Sequence, residues 1–303
     1  METMWAIRKR GPEPGLALEE VAVPVPRDDE VLVEVEAVGV NYRDVYERTG
    51  AYGGEAPLVA GVEGAGTVRA TGERVAWNNA PGSYAEQVGV PPDRAVPIPD
   101  GVTDEQAAAA LLQGMTAHYL THDTYPIQPG DEVLVHAGAG GAGRLTVQMA
   151  TMRGARVIAT ASTDEKRALA REAGADEAIP YEDVPEGRFH VVYDGVGAAT
   201  FDRSLAALRP RGLLAVYGAA SGQPPAMEVM RLNAGSKYLT RPTLHTYTHT
   251  REELLARAAA VFGWVADGSL DVQIGGTYPL EEARRAQEAL ESRATTGKLL
   301  LSI

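Results

Sequence analysis

Apolar and polar positions alternate strictly through "EVLVEVEAVGVN", with Val31, Val33, Val35 and Ala37 on one side and Glu34 and Glu36 on the other. A period of two predicts a half-buried β-strand. "GAGTVRATGERVAW" and "GSYAEQVGV" add short runs of the same kind, punctuated by glycine, and the proline-spaced "PPDRAVPIPDG" reads as an irregular connector. Short strands joined by such turns predict a partly open barrel over the first third of the chain.

The period then changes. "TDEQAAAALLQGMTAHYLTH" predicts a helix opened by a capping box, Thr103 at the N-cap and Gln106 three residues on. From Gly130 apolar runs and helical patterns alternate: "EVLVHAG", a helix to about Arg153, "ARVIATA", "EKRALAREAGA", "FHVVYDGVG", "TFDRSLAALRP" and "GLLAVYGAA". That alternation predicts a doubly wound parallel sheet in an α/β chain. Thr250 and Glu253 form a second capping box ahead of "LLARAAAVFGWVADG". "YPLEEARRAQEALESR" is amphipathic, with Leu280, Ala283 and Leu290 in register, and "GKLLLSI" ends the chain as a strand. The doubly wound region is already complete in length, so this last part is expected to pack on the first domain. The expected boundaries are 112–247 for a dinucleotide-binding domain, with 1–111 and 248–303 forming the catalytic, substrate-binding domain.

Composition narrows the classes. The 303 residues are 45% hydrophobic, as in globular proteins, and carry a net charge of −13, which argues against nucleic acid or an anionic membrane as partner. Cysteine is absent, which removes disulfides, thiolate nucleophiles and cysteine-based zinc sites. "METMWAIRKRG" has no apolar core of signal-peptide length, and no stretch approaches about 18 apolar residues. A cytoplasmic protein is expected. His245 and His249 precede a capping box rather than share a helix. His118 and His122 share a helix without a third ligand nearby in sequence, so neither pair predicts a metal site.

The chemistry concentrates in "HAGAGGAG". Gly138, Ala139, Gly140, Gly141, Ala142 and Gly143 match G-x-G-x-x-G directly after a predicted strand and at the opening of a helix. The first glycine allows the tight turn, the second lets the backbone approach a pyrophosphate, and the third lets strand and helix pack closely. The helix N–H groups and dipole then hold the anion. Leu145, Met149 and Met152 fall on one face of that helix, as core packing requires. A site for NAD(H) calls for Asp or Glu at the second strand's tip. Here the tip reads Ala161, Ser162, Thr163, and Lys166 and Arg167 follow Asp164 and Glu165. Hydroxyls and a cation suit a 2′-phosphate, so the expected cofactor is NADPH.

These motifs, with "RPRGLLAVYGAASG", "YLTRPTLHTYTHTREEL" and the C-terminal "ESRATTGKLLLSI", resemble the zinc-free quinone oxidoreductases of the medium-chain dehydrogenase/reductase superfamily, the group that includes zeta-crystallin. The resemblance implies a Rossmann coenzyme domain beside a β-rich, GroES-like catalytic domain. Where zinc-dependent members carry cysteines and "GHE", this chain has Asn41, Val62 with Glu63, and Leu112 with Gln113; with no thiolate or imidazole there, no metal is expected. Glu63 is assigned a structural hydrogen bond. The resemblance further implies that Lys166 and Tyr181 contact the 2′-phosphate region and that Arg293 also reaches the cofactor. Asn41, Tyr46, Tyr52 and Thr116 would line the nicotinamide and substrate cleft, and Gly218 with Leu239 to Arg241 would flank the nicotinamide. One departure is the segment around residues 66–77, shorter than is usual in the family.

The implied reaction is hydride transfer from NADPH to a quinone, with Asn41, Tyr46 and Tyr52 as donors to the developing oxyanion. An NADPH-dependent enone or alkenal reductase is the enzymatic alternative; a low-turnover, crystallin-like NADPH-binding protein is the alternative from another class. An apolar edge strand near "GLLAVYGAA" and the strand after it would be an aggregation hazard if left bare, so a homodimer is expected.

Overall fold

The computed structural model describes residues 2–10, 15–27, 29–50 and 58–303. The chain divides into two compact units, Met1–Leu112 with Thr248–Ile303, and Gln113–Tyr247.

The first unit opens with a hairpin of β1 (Thr3–Lys9) and β2 (Leu16–Ala22), followed by β3 (Val31–Val40) and helix α1 (Tyr42–Arg48). Then come β4 (Leu58–Val59), β5 (Glu63–Val68), β6 (Arg74–Asn78), β7 (Gln87–Val90) and β8 (Val96–Pro97). β8 lies inside the proline-rich stretch read above as a connector. Pairing of only two residues with β6 is enough to make it a strand, and that is too short to leave a period. Helix α2 (Asp104–Tyr119) follows, with the expected capping box in place: Thr103 N–H donates to Gln106 Oε1 at 3.0 Å, and Gln106 N–H to Thr103 Oγ1 at 3.2 Å.

The second unit holds β9 (Glu132–Val135), α3 (Gly141–Met152), β10 (Arg156–Thr160), α4 (Asp164–Glu172) and β11 (Glu177–Ile179). It continues through β12 (Phe189–Asp194), α5 (Phe201–Ala207), β13 (Leu208–Val216), β14 (Tyr238–Thr240) and α6 (Leu244–Tyr247). The chain returns to the first unit with α7 (Arg251–Ala266), β15 (Ile274–Pro279), α8 (Ala283–Glu291) and β16 (Lys298–Ser302). Both bonds of the Thr250–Glu253 capping box are present at the start of α7.

β3 is the hub of the first unit. It pairs with β5, β7 and β16, in a seven-stranded sheet ordered β15-β16-β3-β5-β6-β8 with β7 beside β3. Alternation along β3 holds through Val33, Val35 and Ala37, with Glu34 and Glu36 exposed. A register shift between Val35 and Ala37 follows, and beyond it Val38, Gly39 and Val40 are all buried. Trp77, fully buried in this core, donates its indole N–H to Ser83 Oγ at 2.9 Å, which satisfies the one polar atom it takes inside.

The second unit is a six-stranded sheet of order β11-β10-β9-β12-β13-β14, parallel at every pairing. This is the doubly wound order, with the reversal between β9 and β12. Val133, Val135, Val157, Ala159, Val191 and Tyr193 pack on one face, and Leu134, Ile158, Val192 and Leu214 on the other. Both faces are covered, which is why these strands read as continuous apolar runs rather than alternating ones. On α3, Leu145 and Met149 are buried, whereas Met152, the helix's last residue, is 44% exposed. Among the described residues, no helix is long and apolar enough to cross a membrane.

Candidate functional site

The C-terminal edge of the parallel sheet gathers most of the site residues expected from sequence. The glycine turn follows β9; Ser162 and Thr163 follow β10; Tyr181 follows β11; Gly218 follows β13; Leu239 and Arg241 lie on and after β14. Thr116 is buried on α2. Crevices beyond the carboxyl ends of strands, beside the order reversal, are where open α/β sheets bind ligands.

The turn itself is built for close approach. A Cβ on Gly138 would stand 2.6 Å from Ala159 Cβ, and one on Gly143 only 2.2 Å from the Ala137 carbonyl oxygen. Ala137 takes φ +54, a left-handed conformation uncommon outside glycine. Gly140 is the N-cap of α3, and Arg144 N–H donates to its carbonyl at 2.8 Å, the first bond of the helix. The N–H groups of Gly141, Ala142 and Gly143 precede that bond and have no acceptor within the helix. No acidic side chain stands in this first turn to compete for them. Amides and dipole together make an anion cradle.

At the tip of β10, Thr163 caps α4 and accepts from the Lys166 N–H at 3.2 Å. Arg167 turns inward, donating to the Ala161 carbonyl oxygen at 3.1 Å and pairing with Asp164. Lys166 is half-buried, and that desolvation lowers its pKa from the usual lysine range. The Tyr181 ring stacks on His136, centroids 5.7 Å apart.

His136 stands between β9 and the turn, fully buried, and was not singled out by sequence. Its Nδ1 lies 2.8 Å from Thr160 Oγ1 and its Nε2 2.9 Å from Ser204 Oγ. Ser204 donates to Asp194 Oδ2 at 2.7 Å. Asp194 also accepts from the N–H groups of Val196 and Gly197 and from the Thr200 hydroxyl. The available signal was a polar residue closing each of two apolar strands, in "EVLVH" and "FHVVYD".

The first unit contains a second polar centre. Asn41 is the N-cap of α1, and the Asp44 N–H donates to its backbone carbonyl oxygen at 3.0 Å. Asn41 Oδ1 accepts from Lys298 Nζ at 2.8 Å, and its Nδ2 donates to Glu63 Oε2 at 2.8 Å and to the Gly39 carbonyl oxygen at 3.1 Å. Lys298 donates to Glu63 Oε2 at 2.6 Å, and Leu112 N–H to Glu63 Oε1 at 2.7 Å. An ammonium only donates and a carboxylate only accepts, so these two neighbours fix the amide's orientation. Both amide hydrogens of Asn41 are thereby engaged inside the unit. Glu63 forms the structural hydrogen bonds expected of it. Lys298, 1% exposed, was missed because a lysine opening an apolar strand reads as an edge charge.

Beneath this centre, Asp44 reaches back to the Asn41 N–H at 2.8 Å and accepts from the Tyr84 hydroxyl at 2.9 Å. Its other oxygen is buried with no hydrogen-bond partner. Burial raises the Asp44 pKa to about 7 against those two hydrogen bonds. Tyr46 is half-buried on α1, its ring 6.2 Å from that of Tyr42. Arg293 is exposed just after α8, at φ +57. Tyr52 lies outside the described residues.

Comparison with known proteins places these features in context. Residues 27–79 match the alcohol dehydrogenase GroES-like domain, and residues 141–260 match the zinc-binding dehydrogenase family. The chain is 40% identical to a quinone oxidoreductase of Pseudomonas aeruginosa, over 92% of each protein. It is 36% identical to a 2-haloacrylate reductase of a Burkholderia species, over 97% of each. A mycobacterial protein solved in complex with NADPH superimposes with a TM-score of 0.95 at 45% identity, covering 99% of this chain and all of that one. Sequence, strand order and the geometry of the glycine turn agree: the chain belongs to the quinone oxidoreductase family of the medium-chain dehydrogenase/reductase superfamily.

Proposed function

We propose that this protein is an NADPH-dependent quinone oxidoreductase. One observation carries the reading: the sheet edge joins a glycine-rich helix start to a second strand tip bearing Ser162, Thr163 and Lys166 rather than a carboxylate. NADPH bound there would supply a hydride from C4 of its nicotinamide.

The amides of Gly141, Ala142 and Gly143 would hold the pyrophosphate; Gly138 and Gly140, expected from sequence to join them, give their N–H groups to the Thr160 and Ala137 carbonyl oxygens and shape the turn instead. Ser162, Thr163, Lys166 and Tyr181 would hold the 2′-phosphate, with Lys166 as the cation; Arg167 turns inward to Ala161 and pairs with Asp164. Gly218, Leu239, Arg241 and Thr116 would flank the nicotinamide; Asn41 and Arg293 are the further cofactor contacts that the family resemblance implies. A quinone carbonyl is already electrophilic, so the protein has to supply alignment and a donor for the developing oxyanion. With both Asn41 amide hydrogens engaged, that donor is Tyr46, with Tyr52 as its expected companion. Asn41 then acts through shape and its fixed dipole, and the final proton comes from solvent.

Zinc has no place in this reading. Asn41 and Val62 supply neither thiolate nor imidazole, and the Lys298 ammonium already neutralises Glu63. The assembly we propose is a homodimer through the edge strand β14. Tyr238 is 59% exposed there, with Val229 and Met230 nearby in the chain at 76% and 72%; such an edge needs a cover, and a second copy supplies one. Sedimentation at micromolar concentration giving a monomer mass would refute it. A cytoplasmic location is consistent with the absence of cysteine.

The test crosses NADPH and NADH with ortho-quinones, para-quinones, alkenals and 2-haloacrylates. Turnover with NADPH and quinones is expected. Turnover confined to the alkenals or haloacrylates would install the reductase reading, which the Burkholderia relative favours. Binding of NADPH without turnover of any acceptor would leave a binding protein.

A further inference from the structure

The buried polar chain behind the glycine turn has a direction that follows from its chemistry. Asp194 accepts from two backbone N–H groups and two hydroxyls, the longest of those four bonds 3.0 Å, so its oxygens act as acceptors. Ser204 has one proton, and it goes to Asp194. The contact between Ser204 Oγ and His136 Nε2 is then an N–H donated by the imidazole. Nδ1 of the neutral ring is left as an acceptor, and the Thr160 hydroxyl donates to it. Each link is between 2.7 and 2.9 Å, and His136, Thr160, Ser204 and Asp194 are all fully buried.

The chain joins places that the nucleotide site needs in register. His136 leads into the glycine turn, and Thr160 is the last residue of β10. Asp194 is the last residue of β12. The Thr160 carbonyl also accepts the Gly138 N–H at 3.0 Å, so this one residue grips the turn by backbone and His136 by side chain. Tyr181, stacked on the imidazole, ties the tip of β11 to the same ring.

We infer that His136, as a neutral imidazole protonated on Nε2, is a positioning residue for the nucleotide site, holding the tips of β9, β10 and β12 so that the turn is assembled before NADPH arrives. It touches no ligand, being fully enclosed, and the Ser-His-Asp set here is no hydrolytic triad because the serine lies between the other two. Burial lowers the His136 pKa, which agrees with a ring that stays neutral. The inference rests on the NADPH reading above.

The test measures NADPH affinity by cofactor fluorescence for the full-length wild type and for the variants His136→Phe, Thr160→Val, Thr160→Ser and Ser204→Ala. The His136→Phe variant keeps a ring beneath Tyr181 but carries no hydrogen bonds. The dissociation constant should rise about tenfold for Thr160→Val, the size expected of one buried hydrogen bond lost from a prearranged site, and at least as much for His136→Phe, which loses both of its bonds. Thr160→Ser keeps the hydroxyl and should stay within about twofold of wild type, and kcat should change far less than the NADPH KM in every variant. Nitrogen NMR of histidine-labelled protein should show Nδ1 unprotonated and Nε2 protonated. Wild type that binds NADPH together with an unchanged Thr160→Val, or an imidazole in the opposite tautomer, would overturn the inference. Wild type that binds no NADPH would instead overturn the function on which it rests. If His136→Phe does not fold, Thr160→Val and the tautomer carry the decision.

Discussion

Each unit buries a polar cluster beside its expected site residues, and these two clusters are built on opposite principles. In the parallel-sheet unit, neutral Thr160, His136 and Ser204 hand donors one way toward a single carboxylate. In the β-rich unit, a buried ammonium faces a buried carboxylate, with the Asn41 amide held between them. Cutting one member of the directional chain leaves only neutral groups short of a partner. An ion pair at 0% and 1% exposure leaves a bare charge when either partner goes. Removing a single side chain should therefore damage the β-rich unit more in stability and the parallel-sheet unit more in cofactor binding.

The largest expected effect tests the ion pair. Lys298→Met should destabilise the protein by about 3–5 kcal/mol, because Glu63 is left buried with its ammonium gone. The double variant Lys298→Met with Glu63→Gln should recover much of that loss, since the uncompensated charge goes too. Urea unfolding of both variants decides the matter. A double variant no more stable than the single would mean that the pair's charge is not what the cluster relies on.

The next effect is a pH dependence that the parallel-sheet unit should not share. Burial raises the Asp44 pKa in the folded protein to about 7, from the ordinary aspartate value of 3.8. The groups that face it are the Asn41 N–H, the Tyr84 hydroxyl, Glu47 and Lys298. Between those two values the folded state binds more protons than the unfolded one, so stability falls as pH rises. For one proton the slope reaches at most about 1.4 kcal/mol per pH unit. Asp44→Asn keeps an acceptor for Tyr84 and should flatten unfolding curves over this range. An unchanged slope would show that the native carboxyl titrates elsewhere.

How much of each cluster was legible follows from how far apart its members lie in the chain. The nucleotide turn is six consecutive residues between a strand and a helix, and its period and glycines announce it. The capping boxes at Thr103 and Thr250 were equally local, and both formed. The β-rich cluster draws on residues 41, 63, 112 and 298, brought together only when β16 pairs with β3. No local pattern encodes that. Strands β1, β2 and β15 escaped for a related reason. β2 and β15 lie mostly exposed or half-exposed, so neither shows a clean alternation. β1 carries its period through Met4 and Ala6, but the buried Ile7 breaks it. Asn41 was read from its position as an oxyanion donor, whereas its hydrogens face inward, a fact that only the placement of Lys298 and Glu63 reveals.

A smaller effect sharpens the cofactor side. Lys166→Ala should raise the NADPH KM about tenfold and leave the NADH KM unchanged, because a charge-assisted contact to phosphate is worth roughly 1.5–3 kcal/mol and part of it returns as solvation. Steady-state kinetics with both nucleotides and one quinone measures it. Equal changes for both would place the lysine's contribution somewhere other than the 2′-phosphate.

The smallest prediction compares one device used in both units. Thr163 caps α4 and Thr250 caps α7, each accepting a backbone N–H from three residues on at 3.2 Å. As caps they are equivalent, and Thr→Ala at either should cost about 1 kcal/mol of stability. They differ in what stands at the helix start. Thr163 is itself a proposed phosphate ligand and α4 bears Lys166 in its first turn, so Thr163→Ala removes one contact and lets fraying move another, while the first turn of α7 bears Arg251, which donates to the carbonyl of Ala95. Thr163→Ala should therefore weaken NADPH binding beyond its stability cost, and Thr250→Ala should leave the NADPH dissociation constant at the wild-type value. Chemical unfolding and cofactor fluorescence on the two variants separate the quantities. Equal loss of NADPH affinity in both would mean that binding tracks overall stability rather than the order of the β10 tip.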